Sequence, residues 1–429
     1  MKISLEDLKG KKLLILSGVG AHIKVVETAK QMGIHTIVVD YLEPSMASPA
    51  KIIADEQWME SILDTDSIVD RCRKEQVDGV ISYCSDIAQK SYYKICTELG
   101  VPCYGNKELF LNMSNKRLFK NMCVHYGLNV IEEYSTEDVE KSIIKFPVFV
   151  KPVDGKGSKG QSICNNYDEL KAAIRLAENV SLSKDILIER YIANKNSFQA
   201  TYFFVDGEAY LIRTADGYKG AVERGLDRVA LCSISPSIYT KEFMEGDNDR
   251  FIDMLKSYGY KDGPAMVQGF YENGVFRFYD PGLRFPGTDF ELVYKKIFGE
   301  DLIEAMIYFS LTGIMPKMNL SNAYVNLNGK KVAVLYPTLR AGEVASIAGI
   351  DELKHNEKVI SYSSRYQPGD SVEFTNTTRQ RLAEIDILGE NYLDLASAIK
   401  KIQESINVAD MDGNNMMYCP FDIKRMPND

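Results

Sequence analysis

Residues 150–160 read Val-Lys-Pro-Val-Asp-Gly-Lys-Gly-Ser-Lys-Gly, three glycines and three lysines directly after the apolar run Phe146–Val150. Glycines leave a backbone unobstructed, so successive N–H groups can turn together toward an anion. The stretch Gly155–Ser162 approaches the phosphate-binding pattern G-x-x-x-x-G-K-[S/T], but Gln161 stands where that pattern has its lysine. The next residues, Gln-Ser-Ile-Cys, read as a strand rather than the helix whose N-terminus such a loop uses. A glycine-rich hairpin tip that folds over phosphates as a flap is therefore the expected device, with a ligand-free basic tip as the alternative. Lys151 precedes the loop, and Lys116 lies near the start of the preceding helical segment.

These residues need elements to position them. Over the first hundred residues, short apolar runs alternate with helically spaced segments: Lys-Leu-Leu-Ile-Leu-Ser ending at Gly18, His-Thr-Ile-Val-Val-Asp ending at Asp40, and Gly-Val-Ile-Ser-Tyr-Cys from Gly79. Such alternation predicts a parallel sheet with crossover helices. Gly18 and Gly20 suggest a dinucleotide turn, but the third glycine of that fingerprint falls at Ile23, which would obstruct close packing. A small α+β segment comes next: the helix from Asn115, then Phe-Pro-Val-Phe-Val-Lys-Pro, the glycine loop, a helix near Tyr167–Val180 and the strand Asp-Ile-Leu-Ile-Glu-Arg-Tyr-Ile. Later, Asp206–Gly207 and Asn273–Gly274 mark hairpins between β-prone runs, and helices are expected at Phe290–Ile297 and Leu302–Thr312. A last unit from about Gly329 mixes short strands with the helix Asn-Tyr-Leu-Asp-Leu-Ala-Ser-Ala-Ile. The fold class is α/β with α+β.

At 429 residues the chain suits two to four domains. Its net charge of −9 argues against a broad nucleic-acid footprint. The opening residues are charged where a signal peptide is apolar, and no run reaches a membrane span. The eight cysteines form no C-x-x-C pair, and the four histidines are far apart, so neither a zinc site nor a disulfide framework is indicated. A reduced, cytoplasmic protein acting on small anions is expected.

In its order and spacing of segments, the chain resembles the ATP-grasp superfamily, in the branch of carbamoyl-phosphate synthase, biotin carboxylase and the L-amino-acid ligases. The resemblance implies a Rossmann-like first domain (1–112), a first ATP-grasp half carrying the glycine-loop lid (113–192), a mainly antiparallel second half with the metal site (193–328) and a closing domain (329–429). It implies that Lys116 and Lys151 reach ATP phosphates and that Gly155, Gly157, Ser158 and Gly160 form the flap. Glu189 matches the hinge acid, and the backbone of Arg190 to Ile192 would meet the adenine edge. Similar ligases carry E-x-N-P-R at the metal site; aligning Arg284 puts Asp280 at the Glu position and Gly282 at the Asn position. Gln268 matches the ligand on the preceding strand, so two metal-ligand candidates remain and a third is missing. Where relatives place a ribose Glu, this chain has Asn196 and Ser197.

Side chains alternate faces along a strand, so Gln268 and Asp280 meet only if an odd number of residues separates the paired positions. That parity predicts a three-residue loop, Glu272–Gly274, with Gly274 left-handed in a bulge. One carboxylate and one amide suffice for Mg²⁺, with Mn²⁺ as the alternative, when ATP and water supply the other oxygens.

The activity implied is ATP-dependent ligation of a carboxylate to an amine through an acyl phosphate, with Lys151 and Arg284 as catalytic candidates. An ATP-binding protein with a degenerate metal site, or a bicarbonate-activating enzyme, are the alternatives. The acceptor is expected near Gly18–His22, Ser82–Asp86 or the loop at 213–228, and the frequent dimers among similar proteins extend to a homodimer here.

Overall fold

Strands β1 (Lys12–Leu16), β2 (His35–Val39), β3 (Glu56–Trp58) and β4 (Gly79–Ile81) form a parallel sheet in the order β3-β2-β1-β4 in the computed structural model, which describes residues 5–45, 47–154, 159–193, 196–220, 226 and 229–428. Leu13–Leu16 and Ile37–Val39 are buried to the last atom, as expected of a sheet covered by helices on both faces. Gly18 fits no dinucleotide. Its amide donates to Asp40 Oδ2 at 3.0 Å, and a Cβ there would lie 2.1 Å from Ser48 Oγ, so the glycine serves close packing of the chain on itself.

The next unit is a four-stranded antiparallel sheet of β5 (Glu133–Tyr134), β6 (Val148–Pro152), β7 (Ser162–Cys164) and β8 (Ile186–Arg190), ordered β5-β8-β6-β7. The helix Tyr167–Val180 covers it, capped by Asn166, whose side chain accepts from the Glu169 amide at 2.9 Å. Val148, Val150, Cys164, Leu170, Ala173 and Ala177 give this unit a small core of its own, the construction expected of a lid. Ahead of it, Asn115 caps the helix Lys116–His125 through the amides of Arg117 and Leu118. The Lys116 amide donates to Val153 O at 3.1 Å and ties that helix to β6.

An eight-stranded sheet forms the rest of the frame. It uses β9 (Ser197–Val205), β10 (Glu208–Lys219), β11 (Ala230–Ser235), β12 (Gly263–Glu272), β13 (Val275–Gly282) and β14 (Lys331–Leu335). Short strands β15 (Thr338–Leu339), β16 (Gly342–Ala348) and β18 (Ser371–Val372) interleave with β17 (Val359–Ser364) and β19 (Ala383–Gly389), and β17 and β19 extend the large sheet. Its order, β13-β12-β9-β10-β11-β14-β19-β17, passes residue 329 without a break. The segment Arg213–Lys219, expected as a loop, is the end of β10, paired with both β9 and β11. Residues 221–225 and 227–228 of that stretch lie outside the described residues.

The hairpin β12–β13 differs from expectation in mechanism and agrees in result. Asn273 and Gly274 have φ of +53° and +80°, and Glu272 pairs with Val275, which makes a two-residue turn. Such a turn alone would set Gln268 and Asp280 on opposite faces. The ladder slips inside the strands: Gly269 pairs with Phe278 and Gln268 with Asp280, leaving Tyr279 as the extra residue of a bulge. The bulge, placed at Tyr279 and not in the turn, restores the parity and brings Gln268 opposite Asp280.

The first sheet is fastened to the large one by buried charges. Lys24 Nζ lies 2.5 Å from Asp289 and 3.1 Å from Glu291, and Tyr83 donates to Glu291 at 2.6 Å. Among the described residues no helix is long and apolar enough to cross a membrane.

Candidate active site

A cleft of about 620 Å³ opens where the lid, the large sheet, the end of β4 and the C-terminal strands converge. Lys116, Lys151, Glu189 to Ile192, Ser197, Gln268, Asp280 and Arg284 all line it. These residues come from separate stretches of the chain and meet in one cleft, whereas Gly160 is not among its lining residues. Gly160, with φ of +71°, ends the described part of the glycine loop; Gly155, Gly157 and Ser158 lie outside the described residues.

Glu189 is buried and holds two ammonium groups, Lys151 Nζ at 2.7 Å and Lys120 Nζ at 2.9 Å. Burial alone would raise its carboxyl; the two lysines outweigh that and hold it below the usual range. Lys151 is pushed down by burial, with Glu189 opposing and the nearby Lys116 charge reinforcing. Lys120 was not anticipated; it stands four residues after Lys116 on one helix face, and its ammonium meets Glu189 and Glu133 while Lys116 lines the cleft.

Lys116 Nζ lies 2.9 Å from Asp280 Oδ1. Burial lowers Lys116, and the Asp280 carboxylate more than restores it, so the group stays charged. Across the ladder from Asp280, Gln268 completes the candidate metal pair. Among the described residues no three His, Cys, Asp or Glu side chains cluster as a metal site. The donors therefore fit a divalent ion only as one that bridges to phosphate and water oxygens, the way Mg²⁺ is commonly held. At Gly282 an added Cβ would meet Arg284 Cγ at 3.1 Å and Met266 Cγ at 3.4 Å, both flexible side chains. The bulge also explains how Tyr279 and Asp280, adjacent in sequence, both line the cleft.

Beside the hinge, Ile131, Ile192 and Phe270 form an apolar slot with Tyr279, whose ring stacks on Phe270 at 5.0 Å. A planar heterocycle suits such a slot. The Arg190 and Tyr191 amides already donate to Glu132 O at 2.9 Å and Pro147 O at 3.2 Å. The Ile192 amide has no backbone partner among the described residues, which leaves it for a ring nitrogen. The Arg190 side chain is turned away to Glu132 at 2.9 Å and Glu272 at 2.5 Å. Ser197 hydrogen-bonds the Tyr279 side chain at the edge of the slot.

Arg284 forms a two-pronged ion pair with Asp86, its Nη2 at 3.0 Å. Burial would lower the guanidinium, and Asp86 keeps it raised. Of the expected acceptor segments, Cys84 and Asp86 line the cleft, as do Gly217 and Lys219 at the end of β10. His22 does not: it is fully buried edge-on to Tyr83, with both ring nitrogens unpartnered, and burial lowers its pKa to about 4. The C-terminal wall, with Tyr336, Thr378, Arg381 and Glu384, was not foreseen as part of the site.

A family model described as the C-terminal part of D-Ala–D-Ala ligase matches residues 125–200. Biotin carboxylase 1 of Bacillus subtilis is 23% identical over 317 residues, 69% of either chain. The 2-oxoglutarate carboxylase small subunit of Hydrogenobacter thermophilus is 26% identical over 318 residues, 69% of this chain and 66% of that one. Against the methylcrotonoyl-CoA carboxylase α subunit of Dictyostelium discoideum the match is 24% identical and spans about a third of that protein. Among solved structures, L-amino acid ligase from Bacillus licheniformis superposes with a TM-score of 0.74 at 15% identity, covering 94% of this chain and 99% of that one. The biotin carboxylase domain of Hydrogenobacter thermophilus 2-oxoglutarate carboxylase, a dimer solved with MgADP and bicarbonate, gives 0.74 at 18% identity, covering 95% and 91%. The parallel first sheet, the small four-stranded unit with its own core and the large antiparallel sheet, with these likenesses, give the chain the ATP-grasp fold and make it similar to biotin carboxylase, carbamoyl-phosphate synthase and L-amino acid ligase.

Proposed function

We propose that this chain is an ADP-forming ligase that joins a carboxylate to an amine through an acyl phosphate. The observation that carries the reading is the meeting of Lys116, Lys151, Gln268, Asp280 and Arg284 around one cleft that also contains an apolar slot with an open amide. On this reading adenine enters the slot against Ile192, and Ser197 lies beside the ribose. Lys116 and Lys151 face the phosphates, under a flap formed by Gly155, Gly157, Ser158 and Gly160. Gln268 and Asp280 would hold Mg²⁺, or Mn²⁺ in its place, which neutralises phosphate charge as the γ-phosphoryl group moves.

Phosphoryl transfer of this kind depends on positioning and charge stabilisation more than on covalent help from protein. The carboxylate oxygen attacks the γ-phosphorus in line, the bond to the β-phosphate oxygen breaks, and ADP leaves. Lys151, desolvated and next to the chain of cations, stabilises charge on the moving group. Arg284 exchanges Asp86 for the carboxylate substrate and orients it. The lid, with its own small core, excludes water from the acyl phosphate until an amine attacks. The protein would work in the cytoplasm on small molecules, as a homodimer like the carboxylase domain it resembles.

The missing third ligand at Gly282 favours a second reading, a nucleotide-binding protein without turnover. Calorimetric titration of ATP with Mg²⁺ and with EDTA, followed by an assay for ADP and hydroxamate in hydroxylamine, separates the two. Metal-dependent binding and hydroxamate formation support the ligase. Binding indifferent to metal, with no ADP release across a panel of carboxylates, would sink it.

A further inference from the structure

Four charges close a ring behind the apolar slot, two from the connections of the lid and two from the hairpin β12–β13. The chain enters the lid through residues 129–132, just ahead of β5, and leaves it through residues 190–192 at the end of β8. The Glu132 carboxylate lies 2.9 Å from Arg190 Nε and 2.8 Å from Arg277 Nη1. The Glu272 carboxylate takes Arg190 on both oxygens, at 3.2 and 2.5 Å, and lies 3.3 Å from Arg277 Nε. Each acid thus serves both guanidiniums, and the ring of two and two is neutral. The Arg190 contact holds the Glu272 carboxyl below its usual range.

Every member of the ring stands one or two residues from a wall of the slot. Glu132 follows Ile131, Arg190 comes two before Ile192, Glu272 two after Phe270 and Arg277 two before Tyr279. On the hairpin, Phe270 pairs directly with Arg277 and Glu272 lies two residues along, so all three project from one face. Two backbone bonds follow the same lines: the Phe278 amide donates to Asn129 O at 2.9 Å, and the Arg190 amide to Glu132 O at 2.9 Å. The side chains of Glu272 and Arg277 are only 16% and 21% exposed. An isolated exposed pair adds little. Here a two-pronged contact belongs to a closed, half-buried network, and removing one member leaves two like charges sharing a single partner.

We infer that Glu132, Arg190, Glu272 and Arg277 are positioning residues for the nucleotide base. The ring pins both connections of the lid to the hairpin, and so fixes how far the Ile131 and Ile192 side of the slot stands from the Phe270 and Tyr279 side. This rests on the nucleotide placement proposed above and adds what sets the affinity for the base. The phosphate side is held separately, by Glu189 on Lys151 and by Asp280 on Lys116. Loosening the ring therefore weakens the grip on the base and leaves the grip on phosphate.

The test is calorimetric titration of MgATP, and of magnesium tripolyphosphate, into the wild-type chain, E272Q, R277Q and the double variant E272Q/R277Q. E272Q leaves two guanidiniums with one acid and R277Q two acids with one guanidinium, so each is expected to weaken MgATP binding about 5–20-fold. Tripolyphosphate, which has no base, should bind all four proteins equally well. The double variant is neutral again and keeps Glu132 on Arg190, so its loss should be smaller than the product of the two single losses. If E272Q does not fold, E132Q opens the ring from its most exposed corner and is expected to weaken MgATP binding in the same way. A lower melting temperature with unchanged MgATP affinity would make the ring purely structural and overturn the inference. An equal loss of tripolyphosphate binding, or a double variant as weak as the product, would overturn it too. Wild-type protein that binds MgATP no better than tripolyphosphate would instead overturn the placement of a base in the slot, and binding of neither would overturn the ligase reading.

Discussion

Replacing Glu189 with Gln tests whether the lysine cluster is built to receive phosphate. Glu189 is the shared counter-charge of Lys151 at 2.7 Å and Lys120 at 2.9 Å, and its side chain is 1% exposed. Lys120 keeps a second acid, Glu133, at 3.3 Å. Lys151 has no other ion-pair partner among the described residues. E189Q therefore leaves one buried ammonium uncompensated, at a cost of about 3–5 kcal/mol. Lys151 can shed its proton to limit the loss, because burial already lowers it, so the deficit should shrink as pH rises. Each kcal/mol moves the midpoint of a 150–250-residue unit by about 2–4 °C and a longer chain by less, so a drop of about 5–10 °C is expected. With saturating MgATP the triphosphate supplies the missing negative charge, and the gap between variant and wild type should narrow. Thermal melts of both proteins, without ligand, with MgATP, and with ATP in EDTA, read this directly. An unchanged midpoint without ligand would show that the triad is not structural. A gap that MgATP leaves as wide as before would show that phosphate does not reach Lys151, and the nucleotide placement would fall with it.

Two further outcomes rest on the same geometry. G282N adds an oxygen two residues beyond Asp280 on the same strand; the new Cβ meets only flexible atoms of Arg284 and Met266, so about 1–2 kcal/mol of stability is lost while the Mg²⁺ concentration for half-maximal ATP binding falls. ATP binding with an unaltered Mg²⁺ requirement would count against a metal at this end of the hairpin. E384Q is expected to stabilise the protein at about pH 8 and not at about pH 4. Glu384 is raised from 4.5 to about 7, so the folded chain binds that proton more tightly than the unfolded one. Its favourable contribution is complete below about 4.5, declines as pH rises to about 7 and stays lost above; water in the cleft makes about 3 kcal/mol an upper limit to the effect. A melting difference independent of pH would contradict this.

Local patterns in the sequence carried far toward the fold. Helix ends at Asn115, Asn166 and Gly299 and the runs buried in β1 and β2 are written in residue types that act over one or two turns. The helix Leu302–Thr312 has the expected bounds because Asp301 caps it and Gly313 ends it in a left-handed conformation. What could not be read is what depends on register. A bulge is a slip in a ladder, and nothing in Phe-Tyr-Asp announces that Tyr279 rather than the turn will absorb it. Parity nevertheless predicted the consequence, since both devices put Gln268 and Asp280 on one face. The C-terminal wall was hidden for a different reason. Arg381 and Glu384 reach the cleft because β19 joins a sheet whose first strand, β9, begins at Ser197, a pairing that no local spacing encodes.

The ion pairs in the cleft also bear on the order in which ligands are accepted. Lys116 lies on Asp280 at 2.9 Å, so the carboxylate assigned to the metal is already neutralised by the lysine assigned to phosphate. A divalent ion arriving alone would have to displace the Lys116 ammonium from Asp280. ATP arriving alone would bring its phosphates against Asp280 and Glu189, two carboxylates facing the same space. Neither exchange is favourable singly. Together they close: phosphate takes Lys116 and Lys151, and the ion takes Asp280 with Gln268 beside it. Metal and nucleotide should then bind with positive coupling, each raising the affinity for the other by the same factor. Equal ATP affinity in Mg²⁺ and EDTA would mean that Lys116 and Asp280 remain paired with nucleotide bound, leaving the hairpin no part in holding a metal.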